Sequence, residues 1–306
     1  MGISSGKGPK VAVLMGGHSL EREVSLISGR ACSAALRGKD FEVLELDAGH
    51  DVVQRLSELQ PDVVFNALHG RWGEDGSIQG VLEWLRIPYT HSGVMASALA
   101  MDKHRSKHIF SDFGLPTAQG FIIEKTNLIN AHPLQRPYVV KPINEGSSIG
   151  VYFVNPAEDP PLNLSSDMPS ILMVEEYIPG RELTVTVMGK KALLVTDIIT
   201  QEWYDYDAKY KNGGSVHEVP AKIPEKIKEK CLEYALSAHE LIGCRGISRA
   251  DFRWDESLGL DGLILLEINT QPGMTPTSLV PEQAEICGVK FGDLCQWLVE
   301  DASCDR

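Results

Sequence analysis

Long apolar runs are missing from this sequence. The first hydrophobic stretch, Val11 to Met15, is too short for a bilayer span or a secretory signal, so a cytoplasmic protein without a membrane partner is expected. Gly2 is followed at position 6 by glycine rather than Ser or Thr, which breaks the myristoylation pattern. Basic residues are also scarce: 29 Lys and Arg face 42 Asp and Glu, a net charge of −13. That balance opposes nonspecific attraction to phosphate backbones and argues against a nucleic-acid partner. Any phosphate must therefore be met by a local site. The six cysteines (Cys32, Cys231, Cys244, Cys287, Cys295 and Cys304) show no short paired spacing. Neither a zinc site nor a disulfide framework is indicated, and reduced thiols are expected. Neither glycine-rich phosphate fingerprint, G-x-G-x-x-G or G-x-x-x-x-G-K-[ST], occurs, and no internal repeat or low-complexity tract stands out.

What is present reads as α/β, and 306 residues are enough for two or three domains. Val11 to Met15 reads as a buried parallel strand, Gly16 and Gly17 as its exit turn, and Arg22 to Leu36 as a helix with Val24, Ile27, Ala31 and Ala34 on one face. Further strands are predicted over 41–46 and 62–68. Glu21 then stands at the crevice, and His69 lies beyond the carboxyl end of a strand, where ligands bind in open α/β sheets. The glycine-spaced HGRWGEDGSIQG around His69 reads as a functional loop. A first domain boundary is placed near residue 102.

The chain then changes character. Short antiparallel strands are predicted over 121–124, 138–141 and 151–154, with prolines punctuating the loops. Lys141 ends one strand, and Glu145-Gly146-Ser147-Ser148-Ile149-Gly150 follows, a small-residue loop able to close over phosphate oxygens beside that cation. Strands over 171–177, 183–188 and 192–196 suggest a second small sheet. The segment 203–214, WYDYDAKYKNGG, has neither strand nor helix periodicity and reads as a lid. Residues 224–242 read as an amphipathic helix.

Arg249 to Leu279 is the most telling stretch. Arg249 to Trp254 and Leu263 to Asn269 read as the strands of a hairpin around a turn-rich insert. Residues two apart share a strand face, so Glu267 and Asn269 point together, and a paired Asp251 completes an oxygen-only cluster. Such a cluster suits Mg²⁺, which takes its remaining ligands from substrate phosphates.

These segments together resemble the ATP-grasp enzymes, and within them the D-alanine–D-alanine ligases, along nearly the whole chain. The resemblance rests on GGHSLEREVS, NALHGRWGEDG, GVMASALAMDK, VVKPINEGSSIGV, EEYIPGRELTV, YDYDAKY, SRADF and LLEINTQPGMTPTSLVP, in that order. It implies three domains, divided as 1–102, 103–184 and 185–306: a parallel-sheet N-terminal domain, then nucleotide held between two antiparallel sheets. It implies ATP and two Mg²⁺, with Mn²⁺ a possible substitute, two D-alanine substrates, and a homodimer. Lys103, Lys141 and Lys209 would contact phosphates under the Glu145 to Gly150 loop, with Ser147 and Ser148. Glu175, Glu176, Tyr177 and Ile178 would line the adenine pocket and Glu182 would hold the ribose. Asp251, Glu267 and Asn269 would bind the metals. Glu21 and His69 would receive the first D-alanine ammonium, with Glu21, Ser147 and Tyr210 tying down the lid. Arg249 and the Gly273 amide would hold an oxyanion, and Ser278 and Leu279 the second carboxylate. Departures are Gln271 and Thr277 where many relatives have serine and histidine, and Glu176 where lysine is frequent. An ATP-grasp ligase for other substrates and a nucleotide-binding module without catalysis are the rival readings.

Overall fold

A computed structural model of the chain describes residues 8–128, 131–147, 149–157, 162, 164–199 and 216–305. Ser148, Lys209, Tyr210 and the rest of the expected lid lie outside the described residues.

Three strands, β1 (Lys10–Met15), β2 (Glu42–Asp47) and β3 (Val63–Asn66), form a parallel sheet in the order β2-β1-β3. Val11 to Leu14 are wholly buried because both faces of this sheet are covered. Val11, Val13 and Met15 pack with Cys32 and Leu36 of helix Arg22–Arg37 and with Leu294 and Leu298 of the last helix, Phe291–Asp301. Ala12 and Leu14 face the other way, onto Leu56, Ile78, Leu82 and Tyr89. The last helix thus completes the core of the first sheet.

The four-stranded antiparallel sheet has the order β4-β7-β5-β6, from β4 (Gly120–Glu124), β5 (Tyr138–Lys141), β6 (Tyr152–Val154) and β7 (Ile171–Glu176). Its own core joins Tyr138, Val140, Val154, Leu172 and Val174 to Leu128 and Leu162.

The five-stranded antiparallel sheet has the order β10-β9-β8-β11-β12. Its strands are β8 (Arg181–Met188), β9 (Lys191–Ile199), β10 (Val216–Glu218), β11 (Ile247–Trp254) and β12 (Leu263–Asn269). Of the strands expected to make a separate small sheet, 171–177 falls in the four-stranded sheet as β7, 183–188 pairs with the predicted hairpin at β11, and 192–196 pairs with 183–188. Helix Glu225–Ile242 covers one face, where Leu183, Val185, Val187, Ala250, Phe252 and Trp254 meet Ile227, Cys231, Ala235 and Ala238. Strand alternation sends Glu182, Thr184, Arg249 and Asp251 to the opposite face.

A bulge decides what β12 presents there. Strict alternation would put Leu263, Leu265 and Glu267 on one face. The pairing instead slips between Asp251–Glu267 and Phe252–Leu265, so that Leu265 and Ile268 both enter the core. Glu267 and Asn269 are thereby turned out opposite Asp251 and Arg249, an instance of a bulge re-aiming a side chain. The insert between the strands is a 3-10 segment, Glu256–Gly262.

Packing continues across both expected divisions. Residue 102 separates helices Val94–Met101 and Lys103–Asp112, and Ala96, Ala100 and Phe110 from both join the five-stranded sheet's core. Residue 184 lies within β8, which pairs with β11 along all eight residues. The two antiparallel sheets separate instead at the short segment between Glu176 and Arg181.

Gly29 lies in the first helix where it crosses β1, and a Cβ added there would stand 2.5 Å from Met15 Cβ. Alanine ordinarily improves a helix interior by about 1 kcal/mol over glycine. Here overpacking should win, and Gly29→Ala should destabilise the fold by about 1–3 kcal/mol. A urea midpoint equal to or above that of the unsubstituted protein would contradict this.

Candidate active site

The cleft between the sheets holds a cavity of about 390 Å³ lined by Glu21, His69, Ser147, Glu182, Arg249, Asp251, Glu267, Asn269, Gly273, Ser278 and Leu279, among others. Eleven expected site residues, from widely separated segments, thus share one wall system. Cations and hydroxyls hold its acids.

Asp251 is the most heavily bound. Its Oδ1 accepts from Thr184 Oγ1 at 2.7 Å and from Arg249 Nε at 2.8 Å, and its Oδ2 accepts from Arg249 Nη2 at 2.7 Å and from Asn269 Nδ2 at 3.0 Å. Arg249 therefore grips the carboxylate in a two-point fork, among the stronger pairings available to side chains. Glu267 Oε2 lies 3.3 Å from Lys103 Nζ, which also donates to the carbonyl of Glu145 at 2.6 Å. That bond ties the loop after β5 to the helix Lys103–Asp112.

Lys141, Lys107 and Glu175 form a buried group: both ammonium groups pair with the Glu175 carboxylate. Burial lowers the Lys141 pKa to about 8, opposed by Glu267 and reinforced by repulsion from Lys103. Burial, with repulsion from Lys141 next, also holds Lys107 well below the usual lysine range.

Glu21 is buried immediately before the first helix and accepts a hydrogen bond from Ser147 Oγ. Ser147 has a φ of 50°, a left-handed conformation uncommon for a residue with a side chain. The bond to Glu21 rewards that geometry and brings the loop onto the parallel-sheet unit. His69 sits between Ser28 Oγ, 3.1 Å from Nε2, and Glu74 Oε1, 3.2 Å from Nδ1. Burial lowers its pKa, but Glu74, and Glu21 behind it, outweigh that and leave it raised.

The segment joining the sheets is pinned by Arg253, whose Nε donates to the Ile178 carbonyl at 3.1 Å and whose Nη2 donates to Tyr177 Oη at 3.3 Å. Arg253 Nη1 also lies 3.6 Å from Glu182 Oε2. Glu176 turns outward and accepts from the Gln119 amide at 2.9 Å. Tyr177 and Ile178 thus stand at the junction between the sheets.

At the far end, Ser278 Oγ accepts from the Thr275 amide at 3.0 Å and lies 2.7 Å from Thr275 Oγ1. A Cβ on Gly273 would stand 2.9 Å from Ser278 Oγ, so the close approach requires glycine. Leu279 begins the helix Leu279–Ile286. Gln271 is buried, accepting from Asn66 Nδ2 at 2.6 Å and donating to the Leu68 carbonyl, while Thr277 is exposed. Gln271 therefore braces the loop carrying His69.

Sequence reasoning missed Lys107, Glu74, Ser28, Thr184 and Arg253, and also the His217–Glu282 pair at 2.9 Å beside the cavity. Two had a signal: Lys107 follows Lys103 by one helical turn, and Glu74 lies in the glycine-spaced loop five residues after His69. The others depend on contacts across elements.

Two antiparallel sheets joined through the segment after Glu176, with Lys107 and Lys141 buried on Glu175 and acidic oxygens lining the neighbouring cavity, beside a parallel sheet, fit the ATP-grasp class. Family models described as D-ala D-ala ligase N-terminus and D-ala D-ala ligase C-terminus match residues 46–92 and 109–300. The chain is 66% identical over 306 residues to the D-alanine–D-alanine ligase of Ruegeria pomeroyi, with 100% of both chains covered. It is 65% identical over 298 residues to that of Cereibacter sphaeroides, with 97% of each covered. A crystal structure of D-alanine–D-alanine ligase from Bacillus anthracis complexed with ATP is similar at a TM-score of 0.79 and 28% identity, over 96% of this chain and 97% of that one. The chain belongs to the D-alanine–D-alanine ligase family.

A raised His69 pKa gives a pairing that stabilises the fold fully below about pH 6.5, the unfolded value, and is lost as pH rises through the higher folded value. Glu74→Gln should remove that support, so the His69 ring should titrate below the free-histidine value in the variant and above it in the unsubstituted protein. Proton NMR titration, assigned with His69→Gln, checks this; equal midpoints would contradict it.

Proposed function

We propose that the chain joins two molecules of D-alanine into D-alanyl-D-alanine, converting ATP to ADP and phosphate, as a cytoplasmic homodimer supplying peptidoglycan synthesis. The observation that carries this reading is the convergence of Glu21, Ser147, Arg249, Gly273 and Ser278 with Asp251, Glu267 and Asn269 on one cavity. Among the described residues no helix is long and apolar enough to cross a membrane.

A carboxylate is a poor acyl donor, so it must first gain a leaving group. In this reading Glu21 and His69 position the ammonium of the first D-alanine. Its carboxylate oxygen attacks the γ-phosphorus, the bond to the ADP oxygen breaks, and a D-alanyl phosphate results. Lys103, Lys141 and Lys209 offset phosphate charge beneath the 145–150 loop, where Ser148 adds a donor. The adenine lies along Glu175 to Ile178, with Glu176 contributing backbone alone, and Glu182 holds the ribose.

Asp251, Glu267 and Asn269 supply two carboxylates and an amide, a hard-oxygen donor set that fits Mg²⁺. Among the described residues no group of three His, Cys, Asp or Glu side chains could hold a metal; the set offers two carboxylates and one amide, and phosphate oxygens would complete it. When bound, two Mg²⁺ (or Mn²⁺) would neutralise charge spreading over the phosphoryl oxygens.

The second D-alanine, its carboxylate held by Ser278 and Leu279, attacks the acyl carbonyl through its amine. Arg249 and the Gly273 amide stabilise the tetrahedral oxyanion, and its collapse breaks the bond to phosphate. Closure of 203–214 through Tyr210, Ser147 and Glu21 keeps water from the acyl phosphate.

ADP release should require D-alanine and should be near background with L-alanine or no amino acid. Arg249→Met should lower kcat by about 100- to 1000-fold, the usual cost of losing an oxyanion donor. D-alanine-independent ADP release would contradict the ligase reading. Tyr210→Phe should raise use of D-lactate as the second substrate; an unchanged product ratio in competition would contradict the role given to Tyr210.

A further inference from the structure

We propose that Lys107 is a positioning residue that holds Glu175 so that Lys141 is released to the nucleotide phosphates. The inference rests on the nucleotide reading above and adds a residue that reading does not contain.

Lys107 lies on the helix Lys103–Asp112 one turn beyond Lys103, and both side chains are buried, Lys103 beside Glu145 and Glu267 and Lys107 against Glu175. Its ammonium is 5% exposed as a residue and pairs with Glu175, which is 3% exposed at the end of β7. The other carboxylate oxygen of Glu175 pairs with Lys141 at the end of β5. One carboxylate thus serves two lysines from different elements. The second cleft carboxylate, Glu267, pairs with Lys103.

Among the described residues these ion pairs set three ammonium groups against two carboxylates. Without Lys107 the same pairs would close on themselves: Glu267 would hold Lys103, and Glu175 would hold Lys141. Removing Lys141 from a buried carboxylate that has no other cation is costly, because the charge left behind is unpaired. With Lys107 present, Glu175 keeps a partner when Lys141 moves to phosphate oxygens. Lys107 itself points at Glu175 and need not touch the nucleotide.

A brace that only stabilised the fold would affect every ligand of the cleft alike. The proposal instead concerns phosphate contacts, and adenosine and ATP separate the two. Binding should be measured by calorimetry for both ligands, with Mg²⁺, on the unsubstituted protein, Lys107→Met, Glu175→Gln and the double variant. Because Glu175 also lines the proposed adenine pocket, both ligands should weaken, and Lys107→Met should weaken ATP by about 10-fold or more beyond its effect on adenosine. In the double variant, with the Glu175 charge gone, Lys107 should no longer matter, and ATP should bind within about threefold of Glu175→Gln alone. This second comparison stands even if Lys107→Met does not fold, since a neutral buried pair is often tolerated.

Equal losses for adenosine and ATP in Lys107→Met, or a double variant about 10-fold weaker for ATP than Glu175→Gln, would overturn the proposal. Failure of the unsubstituted protein to bind ATP would overturn the nucleotide reading itself.

Discussion

A carboxylate taken out of water needs a cation or several donors, and leaving it without either is among the costliest things a fold can do. That constraint organises this molecule. Glu21, Glu175, Asp251 and Glu267 all lie in the cleft, and each is met by a group from another strand, another helix or another sheet. The pairings are also the joints of the structure. Ser147 on Glu21 brings the 145–150 loop to the parallel-sheet unit, Lys103 binds that loop through the Glu145 carbonyl, and Lys107 on Glu175 fastens a helix to the four-stranded sheet.

The same pairings suit a site that must accept charged ligands. Asp251 in the fork of Arg249, and Glu267 beside Lys103, are acids kept company by cations that a phosphate or a developing oxyanion would also attract. In the proposed reaction the partners are exchanged. A bound metal would be held by Asp251, Glu267 and Asn269, leaving Arg249, Lys103 and Lys141 available to the substrate oxygens. The cleft then changes which charges meet without exposing any of them unpaired.

Strand periodicity made much of this legible in advance. Asp251 paired across the hairpin beside Glu267 and Asn269 is as expected, and Tyr138–Lys141 and Leu263–Asn269 have their expected bounds. Period two also hid something. On an unbroken strand Glu267 would have followed Leu263 and Leu265 into the core, and the bulge that turns it out has no mark in the sequence. The division near 102 was drawn where the chain changes character and that at 184 follows the resemblance, and packing crosses both: Ala100 and Phe110 share a core, and β8 runs through residue 184. Lys107 and Arg253 were missed because their partners are set by tertiary geometry. Sequence spacing cannot reveal that Lys107 and Lys141 meet at one carboxylate.

The central claim is that the cleft's cations leave its acids for the substrate. A crystal structure with a non-hydrolysable ATP analogue, Mg²⁺ and D-alanine would show it most directly. Metal should then lie against Asp251, Glu267 and Asn269, with Lys103 and Lys141 on phosphate oxygens and Glu175 still paired to Lys107. A nucleotide bound elsewhere, or one bound in the cleft with metal absent from those oxygens and the Lys103–Glu267 and Lys141–Glu175 pairs intact, would contradict the account.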